Sequence, residues 1–521
     1  MTRDILIGVD SGTSVVKSVA FTSDGEQIAV AALPNEYATV ASGGVEQDLG
    51  KTWADCAATL RQLAERVPNL AARVAALGIT AQGDGTWLID RDGEAVAPGW
   101  LWLDSRAAAI AEDVIQHPDY ARHYEATGTG VNACQQNVQL AWLKRHRPEV
   151  IARAATAMHC KDWLYFKLTG DRATDPSEAN FTFGNFRTRR YQPEILRLLG
   201  AADCERLLPR IVDGTREAAK LRADAARATG LPEGTPVALG FLDVLCTGLG
   251  GGLFDRGGTV GCTIVGSTGM HMRLALTPAA VRLNAERSGY TMAFPVPEAC
   301  AQMQSNMAGT LNIDWFLDLA REVMAAAGVE RSRKELLSGM DERVLAAPAG
   351  SALYHPYISR AGERGPFLEP AARAQFTGLR ADAGYFALMR AIYEGLCFAA
   401  RDCYTAMGPT PAEIRLAGGA ARSRALRTIL ASVLGAPVRT AAREEAGAAG
   451  AAMIAAVQLG LYRDMPACVA AWVDPLLGAP QAPDAALAAT YERLFPIYLE
   501  TRKAMRPAWR TLRRAREEGT A

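Results

Sequence analysis

The chain has 521 residues, 49% apolar and 21% charged, with 56 basic side chains against 56 acidic ones. That balance is the composition of an ordinary globular protein with two large domains or three to four small ones. It excludes a disordered chain, a coiled coil and the basic footprint of a nucleic-acid or acidic-membrane binder. The ten cysteines are scattered without a C-x-x-C pair, which predicts free thiols in a reducing compartment and hence a cytoplasmic protein. No apolar core with a cleavage site follows Met1, so no signal peptide is expected. The longest uncharged stretch, Ala446–Tyr462, is Ala- and Gly-rich. It is expected to be a buried helix, too short to span a membrane.

Taken in order, Ile5–Val9 reads as a strand, Asp10-Ser11-Gly12-Thr13-Ser14 as its turn and Val15–Thr22 as a second strand. Asp24-Gly25 makes a hairpin and Gln27–Ala32 a third strand. Trp53–Arg66 has helical spacing, and Val74–Thr80 is a buried strand running into Gln82-Gly83-Asp84-Gly85. Thr86–Ile89 and Ala97–Trp102 continue the β pattern. Residues 105–240 read as mostly helical, with a basic amphipathic stretch at Val138–Ile151. A strand at Val237–Gly240 is followed by Leu242–Gly252, which starts a helix. The opening plan then recurs: strand Thr259–Val265, turn Gly266-Ser267-Thr268-Gly269, strand Met270–Leu276. A third turn, Gly418-Gly419-Ala420-Ala421, follows strand Ile414–Ala417 and opens a helix through Leu434. The chain therefore reads as a duplication with halves at 1–252 and 253–521, ending in a charged surface helix at Tyr498–Glu518.

Each Gly/Ser/Thr turn presents backbone N–H groups and hydroxyls without a side chain in the way, a geometry that cradles phosphate oxygens. One such turn is an ordinary hairpin or helix cap; three in register across a duplicated chain point to a nucleotide. Asp10, at the end of the first strand, is placed to face Mg²⁺. Lys17 or the hydroxyls are placed to meet the terminal phosphate. No G-x-x-x-x-G-K-[ST] occurs, and Gly128-Thr129-Gly130-Val131-Asn132-Ala133 lacks the βαβ frame of a dinucleotide site. Asp243, between an apolar strand and a Gly-rich segment, is either a helix N-cap or a general base that takes a hydroxyl proton. Gln82, Asp84, Trp102, Asp104 and Arg106, beside Trp87 and Trp100, form a polar cluster with aromatic walls that suits a small polyhydroxy compound.

At this point the sequence resembles the FGGY family of carbohydrate kinases over nearly its whole length. The matching segments are Asp10-x-Gly12-Thr13, Gly266-Ser267-Thr268-Gly269 and Gly418-Gly419-Ala420. They also include Lys161-Asp162-Trp163-Leu164 through Thr174-Asp175, His355-Pro356-Tyr357 to Pro366, and Arg390 to Asp402. The resemblance implies an α/β fold of the actin-like, duplicated ribonuclease-H type, with the active site in the cleft between two lobes. It implies ATP and Mg²⁺, with Asp243 as base and metal neighbour and Asp10 at the metal. The nucleotide set it implies is Gly12, Thr13, Ser14, Lys17, Gly266, Ser267, Thr268, Gly309, Gly418, Gly419, Ala420 and Ser423. The N-terminal lobe would bind the acceptor through Gln82, Gly83, Asp84, Trp102, Asp104 and Asp243. The family includes dimers and tetramers, which leaves a homodimer open.

Several positions depart from the family's pattern. Gln139 stands where a Lys usually precedes the first signature's Trp, here Trp142. Members acting on glycerol carry Arg-Glu at Gly83-Asp84 and a Tyr at Cys134; members acting on xylulose carry Met-His at 83–84. Asp84 keeps a carboxylate able to accept two hydroxyl hydrogens, and Gly83 is expected to make room for more than glycerol. The run 82–87 with 100–104 is most similar to that of family members acting on erythritol, and this resemblance implies a four-carbon polyol phosphorylated on a terminal hydroxyl. A ketopentose acceptor such as xylulose or ribulose would need a group to polarise its carbonyl; His271 lies near a motif, but on the nucleotide side. Glycerol, and a non-catalytic ATP-binding protein of the same fold, are the other readings.

Overall fold

A computed structural model of the chain describes residues 3–518. In the first half, β1 (Ile5–Ser11) pairs antiparallel with β2 (Val15–Thr22), which pairs with β3 (Gln27–Pro34). Helix α1 (Leu49–Arg66) follows, capped by Asp48, whose carboxylate accepts the Lys51 N–H. Its buried residues Leu49, Thr52, Cys56, Leu60 and Leu63 keep helical spacing. β4 (Val74–Ala81) returns parallel to β1, and β5 (Ala219–Lys220) and β6 (Pro236–Leu239) complete a six-stranded sheet of order β5-β6-β4-β1-β2-β3. Helix α2 (Asp243–Gly250) leads out of it.

The second half repeats this plan. β7 (Val260–Val265) and β8 (Gly269–Ala275) form the hairpin; β9 (Tyr290–Ala293) and β10 (Cys300–Asn306) extend that side. β11 (Glu413–Ala417) runs parallel to β7, and β12 (Val438–Thr440) parallel to β11. The sheet order is β9-β10-β8-β7-β11-β12. Setting β1 on β7, β2 on β8, β3 on β10, β4 on β11 and β6 on β12 matches the two orders over five strands, leaving β5 and β9 as unmatched edge strands. This is the duplicated two-lobe α/β fold expected from the sequence.

Helix α3 (Ala446–Gln458) is the expected buried helix, and its position joins the halves. It belongs to the second half of the chain but lies on the first half's sheet, against β1 and β4, and pairs with α2. Alternation along β1 sends Ile5, Ile7 and Val9 into the core under α1, while Leu6 joins the core under α3. Gly8 and Gly78 sit on the α3 face, where a Cβ would overlap the carbonyl oxygens of Ala448 and Ala451. The approach is too close for any side chain. Gly250 and Gly450 play the same part between α2 and α3, each facing a carbonyl oxygen of the other helix. Burial on all sides explains why α3 is apolar all round.

Three expectations are corrected. The stretch Val138–Ile151 is not one amphipathic helix: it breaks at Arg147 ahead of Pro148, into Gln136–His146 and Pro148–Arg153. Its first turns are buried despite their polarity, because Gln136 donates to the Met158 carbonyl (2.8 Å) and Asn137 to the Thr182 carbonyl (2.9 Å). Of the β pattern at Ala97–Trp102, only Gly99–Trp100 is strand. The C-terminal helix, α4 (Ala485–Glu518), is longer than expected; it lies at the surface, as expected, but is docked along one face. Tyr491, Tyr498 and Trp509 are buried, and Arg502 pairs with Asp402 at 3.0 Å. All ten cysteines are free and buried. No helix among the described residues is long and apolar enough to cross a membrane.

Candidate active site

The β1–β2 turn, the starts of α2 and α3 and the end of β4 together build one polar centre. Asp10 lies two residues beyond Gly8 on the same face of β1, so it points at the start of α3. There Gly447 leaves room for it, since a Cβ would overlap Oδ2 and lie 3.2 Å from the Thr247 hydroxyl of α2. Burial, against the pull of Lys17, raises the Asp10 pKa to about 6. Asp243 is the first residue of α2 rather than its cap, which falls on Leu242. Its Oδ1 accepts the Val244 N–H at 2.7 Å. Burial first, and then the Asp10 charge, push the Asp243 pKa up to about 8. The two carboxylates thus share a place where negative charge is under-compensated, which fits a divalent cation. No group of three or more metal-ligating side chains exists among the described residues. Two carboxylates with phosphate oxygens is the usual Mg²⁺ arrangement, so the residues present fit that ion. Lys17 is not free for a phosphate: its Nζ contacts both Glu445 oxygens, at 3.0 and 2.7 Å.

Two members of the expected acceptor cluster, Trp102 and Gln82, lie on one hydrogen-bonded line, and the structure reassigns several residues. Trp102 donates its indole N–H to the Thr13 hydroxyl (2.8 Å), which donates to Gln82 Oε1 (2.9 Å). Gln82 Nε2 donates to Gln47 (2.8 Å), and Gln47 to Asn35 (2.6 Å). The hydroxyl proton of Thr13, expected at a phosphate, is therefore committed to Gln82. Gln82 is buried and positions its neighbours, and Trp102 offers the cleft its ring. Asp104 is withdrawn from the acceptor set. Its Oδ2 accepts the Val45 N–H at 2.9 Å, and both oxygens accept from Arg106, whose guanidinium lies 3.5 Å over the Trp100 ring. Gly83 does not make room for substrate either. A Cβ there would overlap Leu242 and meet Glu178 Oε1 at 2.9 Å, so protein already fills that space.

Asp84 remains. It holds a left-handed backbone (φ 54°) and is bracketed by the second half of the chain. Its Oδ2 accepts the Tyr290 hydroxyl at 3.1 Å and the Cys134 thiol at 3.5 Å, while Oδ1 is buried with no partner. Burial raises its pKa. Behind it lies a buried charged set, Lys161 against Asp162 (2.9 Å) and Asp175 (2.7 Å), and His159 between Asp162 (3.0 Å) and Glu178 (3.4 Å). Ser177 hydrogen-bonds Asp175 and accepts the Leu242 N–H at 3.2 Å, which ties this set to the junction carrying Asp243. From Trp102 and Cys134 a cavity of about 1100 Å³ opens past Met307 and Arg364 to Trp509.

On the other side, the β7–β8 turn closes through the Gly266 N–H on the Thr268 carbonyl (3.0 Å), and Gly309 donates to the Ser267 carbonyl (2.6 Å). A Cβ at Gly309 would overlap that turn, so Gly309 supports it from behind. Gly266 and Gly419 face open space, and Gly418 holds a positive φ of 86° against the Val265 carbonyl. Ala420 and Gly419 belong to a short 3₁₀ turn. Ser423 caps the helix Arg424–Leu434 and hydrogen-bonds Asp341 at 2.6 Å, so its hydroxyl positions the loop. Ser14 is exposed at the mouth of the β1–β2 turn, and Gly12 donates to Val15 within it. His271 is enclosed by Thr263 (3.2 Å) and Asn306 (3.1 Å), and burial lowers its pKa to about 4. It cannot polarise an acceptor carbonyl. The residues that sequence reasoning missed are Glu178, Tyr290, Arg364, Glu445 and Gly447. Of these, Glu178 stands three residues past Asp175 of a matched segment and Gly447 opens the Gly/Ala helix; Tyr290 carried no local signal.

Compared with known proteins, residues 5–250 match the N-terminal domain model of the FGGY family of carbohydrate kinases, and residues 261–459 match its C-terminal domain model. The chain is 51% identical over 506 residues to erythritol kinase of Brucella abortus, covering 97% of each chain. It is 30% identical to autoinducer-2 kinase of an Enterobacter species, over 89% of this chain and 87% of that one. In fold it resembles gluconate kinase from Lactobacillus acidophilus (TM-score 0.88, 23% identity, 98% of this chain and 99% of that one). It also resembles Plasmodium falciparum glycerol kinase with ADP (TM-score 0.80, 15% identity, 96% and 98%).

Proposed function

We propose, for a chain that belongs to the FGGY family of carbohydrate kinases, that it transfers the γ-phosphoryl group of ATP to a terminal hydroxyl of erythritol. The relative that is 51% identical over 97% of the chain and bears that activity in its name supports the acceptor. The observation that carries the reading is Oδ1 of Asp84, a buried acceptor without a partner that waits for a hydroxyl donor.

Residues 1–252 would hold the polyol between Asp84, the Trp102 ring and Asp243. Residues 253–521 would hold ATP, with adenine near Gly418–Ser423 and the phosphates at Gly266–Thr268 and the Asp10–Thr13 turn. Asp243 accepts the proton of the attacking hydroxyl as its oxygen bonds to the γ-phosphorus. The bond to the β–γ bridging oxygen breaks, and ADP leaves with that electron pair. Asp10 and Asp243 would hold Mg²⁺, which would supply charge neutralisation for the phosphates. The backbone N–H groups of the two turns would orient the phosphates, and closure of the cleft on its substrates would keep water from competing as acceptor.

A coupled ADP-release assay over erythritol, D- and L-threitol, glycerol, xylitol, xylulose and ribulose tests the acceptor. We expect kcat/KM to be highest for erythritol by about tenfold, the scale of one well-placed group in a pocket. A ketopentose at the top would overturn the acceptor and keep the phosphotransfer. For Asp84→Ala we expect the acceptor KM to rise by about one to two orders of magnitude, the loss of a hydrogen bond to a charged group. KM for ATP should be unchanged; equal effects on both would remove Asp84 from the acceptor site.

A further inference from the structure

Asp84 uses its two oxygens differently, and the difference comes from the other half of the molecule. Tyr290 lies 206 positions along the chain, on β9, the edge strand of the second sheet. Its ring packs edge-on against Phe181 at 5.3 Å, and the residue is 6% exposed. Both its sequence neighbours are pinned to the first half. The Gly289 carbonyl accepts the Gly130 N–H at 2.9 Å. Thr291 donates its N–H to the Thr129 hydroxyl (3.0 Å) and its own hydroxyl to the Gly128 carbonyl (2.9 Å). The Gly128-Thr129-Gly130 run, which has no part in a dinucleotide site, is thus the anchor of β9. Tyr290 is held between these bonds and its hydroxyl proton is fixed on Asp84 Oδ2, with the Cys134 thiol donating to the same oxygen.

We propose that Tyr290 is the positioning residue that sets acceptor stereoselectivity: by occupying Oδ2 it leaves Asp84 a single acceptor, Oδ1, at one fixed place. A carboxylate with both oxygens open turns about its last bond and accepts either epimer of a vicinal diol. A carboxylate pinned through one oxygen accepts a hydroxyl from one direction. The inference rests on the reading of Asp84 as an acceptor ligand, and on nothing at the nucleotide side.

Tyr290→Phe removes the hydroxyl and keeps the ring against Phe181. With the full-length protein, we expect the ratio of kcat/KM for erythritol over D- and L-threitol to fall about tenfold, the worth of one hydrogen bond to a carboxylate. The erythritol KM should rise severalfold, with kcat and the KM for ATP within about threefold of wild type. A merely structural Tyr290 would instead shift all parameters together and leave the ratio alone, and that result overturns the proposal. Asp84→Ala separates the two readings. If it raises the acceptor KM while Tyr290→Phe leaves the ratio untouched, Tyr290 is wrong and Asp84 stands. If Asp84→Ala leaves the acceptor KM unchanged, the reading beneath it fails as well. Should Tyr290→Phe melt far below wild type, Cys134→Ser, which strengthens the donor on the same Oδ2, is expected to keep or raise the ratio; a fall would count against the proposal.

Discussion

Asp243→Ala is expected to lower kcat by about 10²–10⁴, the contribution of a positioned general base, and to raise the acceptor KM as well, because the same carboxylate is a polyol contact. A variant with near-normal kcat would remove Asp243 from the chemistry. Asp243→Asn makes the case sharper, because it separates catalysis from stability. The folded-state pKa of Asp243 is raised from the carboxylate range to about 8, through burial and the Asp10 charge. Between about pH 4 and pH 8 the folded protein therefore binds a proton that the unfolded chain has released. Stability falls as pH rises through that window, with the full penalty above pH 8. Removing the charge should raise the melting temperature of the ligand-free protein, more at pH 8 than at pH 5, while activity is lost. An inactive variant that is also less stable at pH 8 would contradict the assignment. A variant that is inactive and more stable marks the site as a place where function keeps a destabilising charge.

The second large effect lies away from the chemistry. Gly78→Val is expected to destabilise the protein by at least about 3 kcal/mol, at the upper end for overpacking. The obstacle is a backbone carbonyl of α3, at Ala451, and not the tip of a side chain that can turn aside. β4 and α3 would have to separate along their length. Gly78→Ala should already be costly, whereas Gly435→Ala, with nothing within 4 Å of a new Cβ, should be milder and limited to the strain of its φ of 63°. Thermal melts of the three variants decide the point; a Gly78→Val protein that melts like wild type would mean the helix does not rest on the strand there.

The duplication was legible in the sequence because each half opens with the same local signal, an apolar strand, a Gly/Ser/Thr turn and a second strand. Asp10 and Asp243 were legible because a carboxylate at the end of an apolar strand is an expensive exception to the pattern around it. What the sequence misplaced depends on contacts between distant segments. Gly83 looked like room for substrate, yet Leu242 fills the space. Asp104 looked like a ligand for hydroxyls, yet Val45 and Arg106 occupy both its oxygens. Lys17 looked like a phosphate ligand, yet Glu445 pairs with it. Tyr290 sits in an unremarkable strand, and only the docking of that strand onto Gly128–Gly130 brings its hydroxyl to Asp84. A local pattern tells whether a polar group is unusual; the partner that satisfies it is a property of the fold.

The placement of α3 also has a consequence for how the molecule is made. The face of the first sheet that carries Leu6, Gly8 and Gly78 is covered by residues 446–458. A ribosome that has finished residue 252 still has roughly two hundred residues to add before that cover exists, which at about 5–20 residues per second is tens of seconds. During that interval the first half carries an open apolar face and unshielded strand glycines. The two halves of the duplication are therefore expected not to fold independently. A fragment ending near residue 252 should need residues 446–458 supplied in trans to become compact, and the nascent chain is a natural client for chaperones that bind exposed sheets.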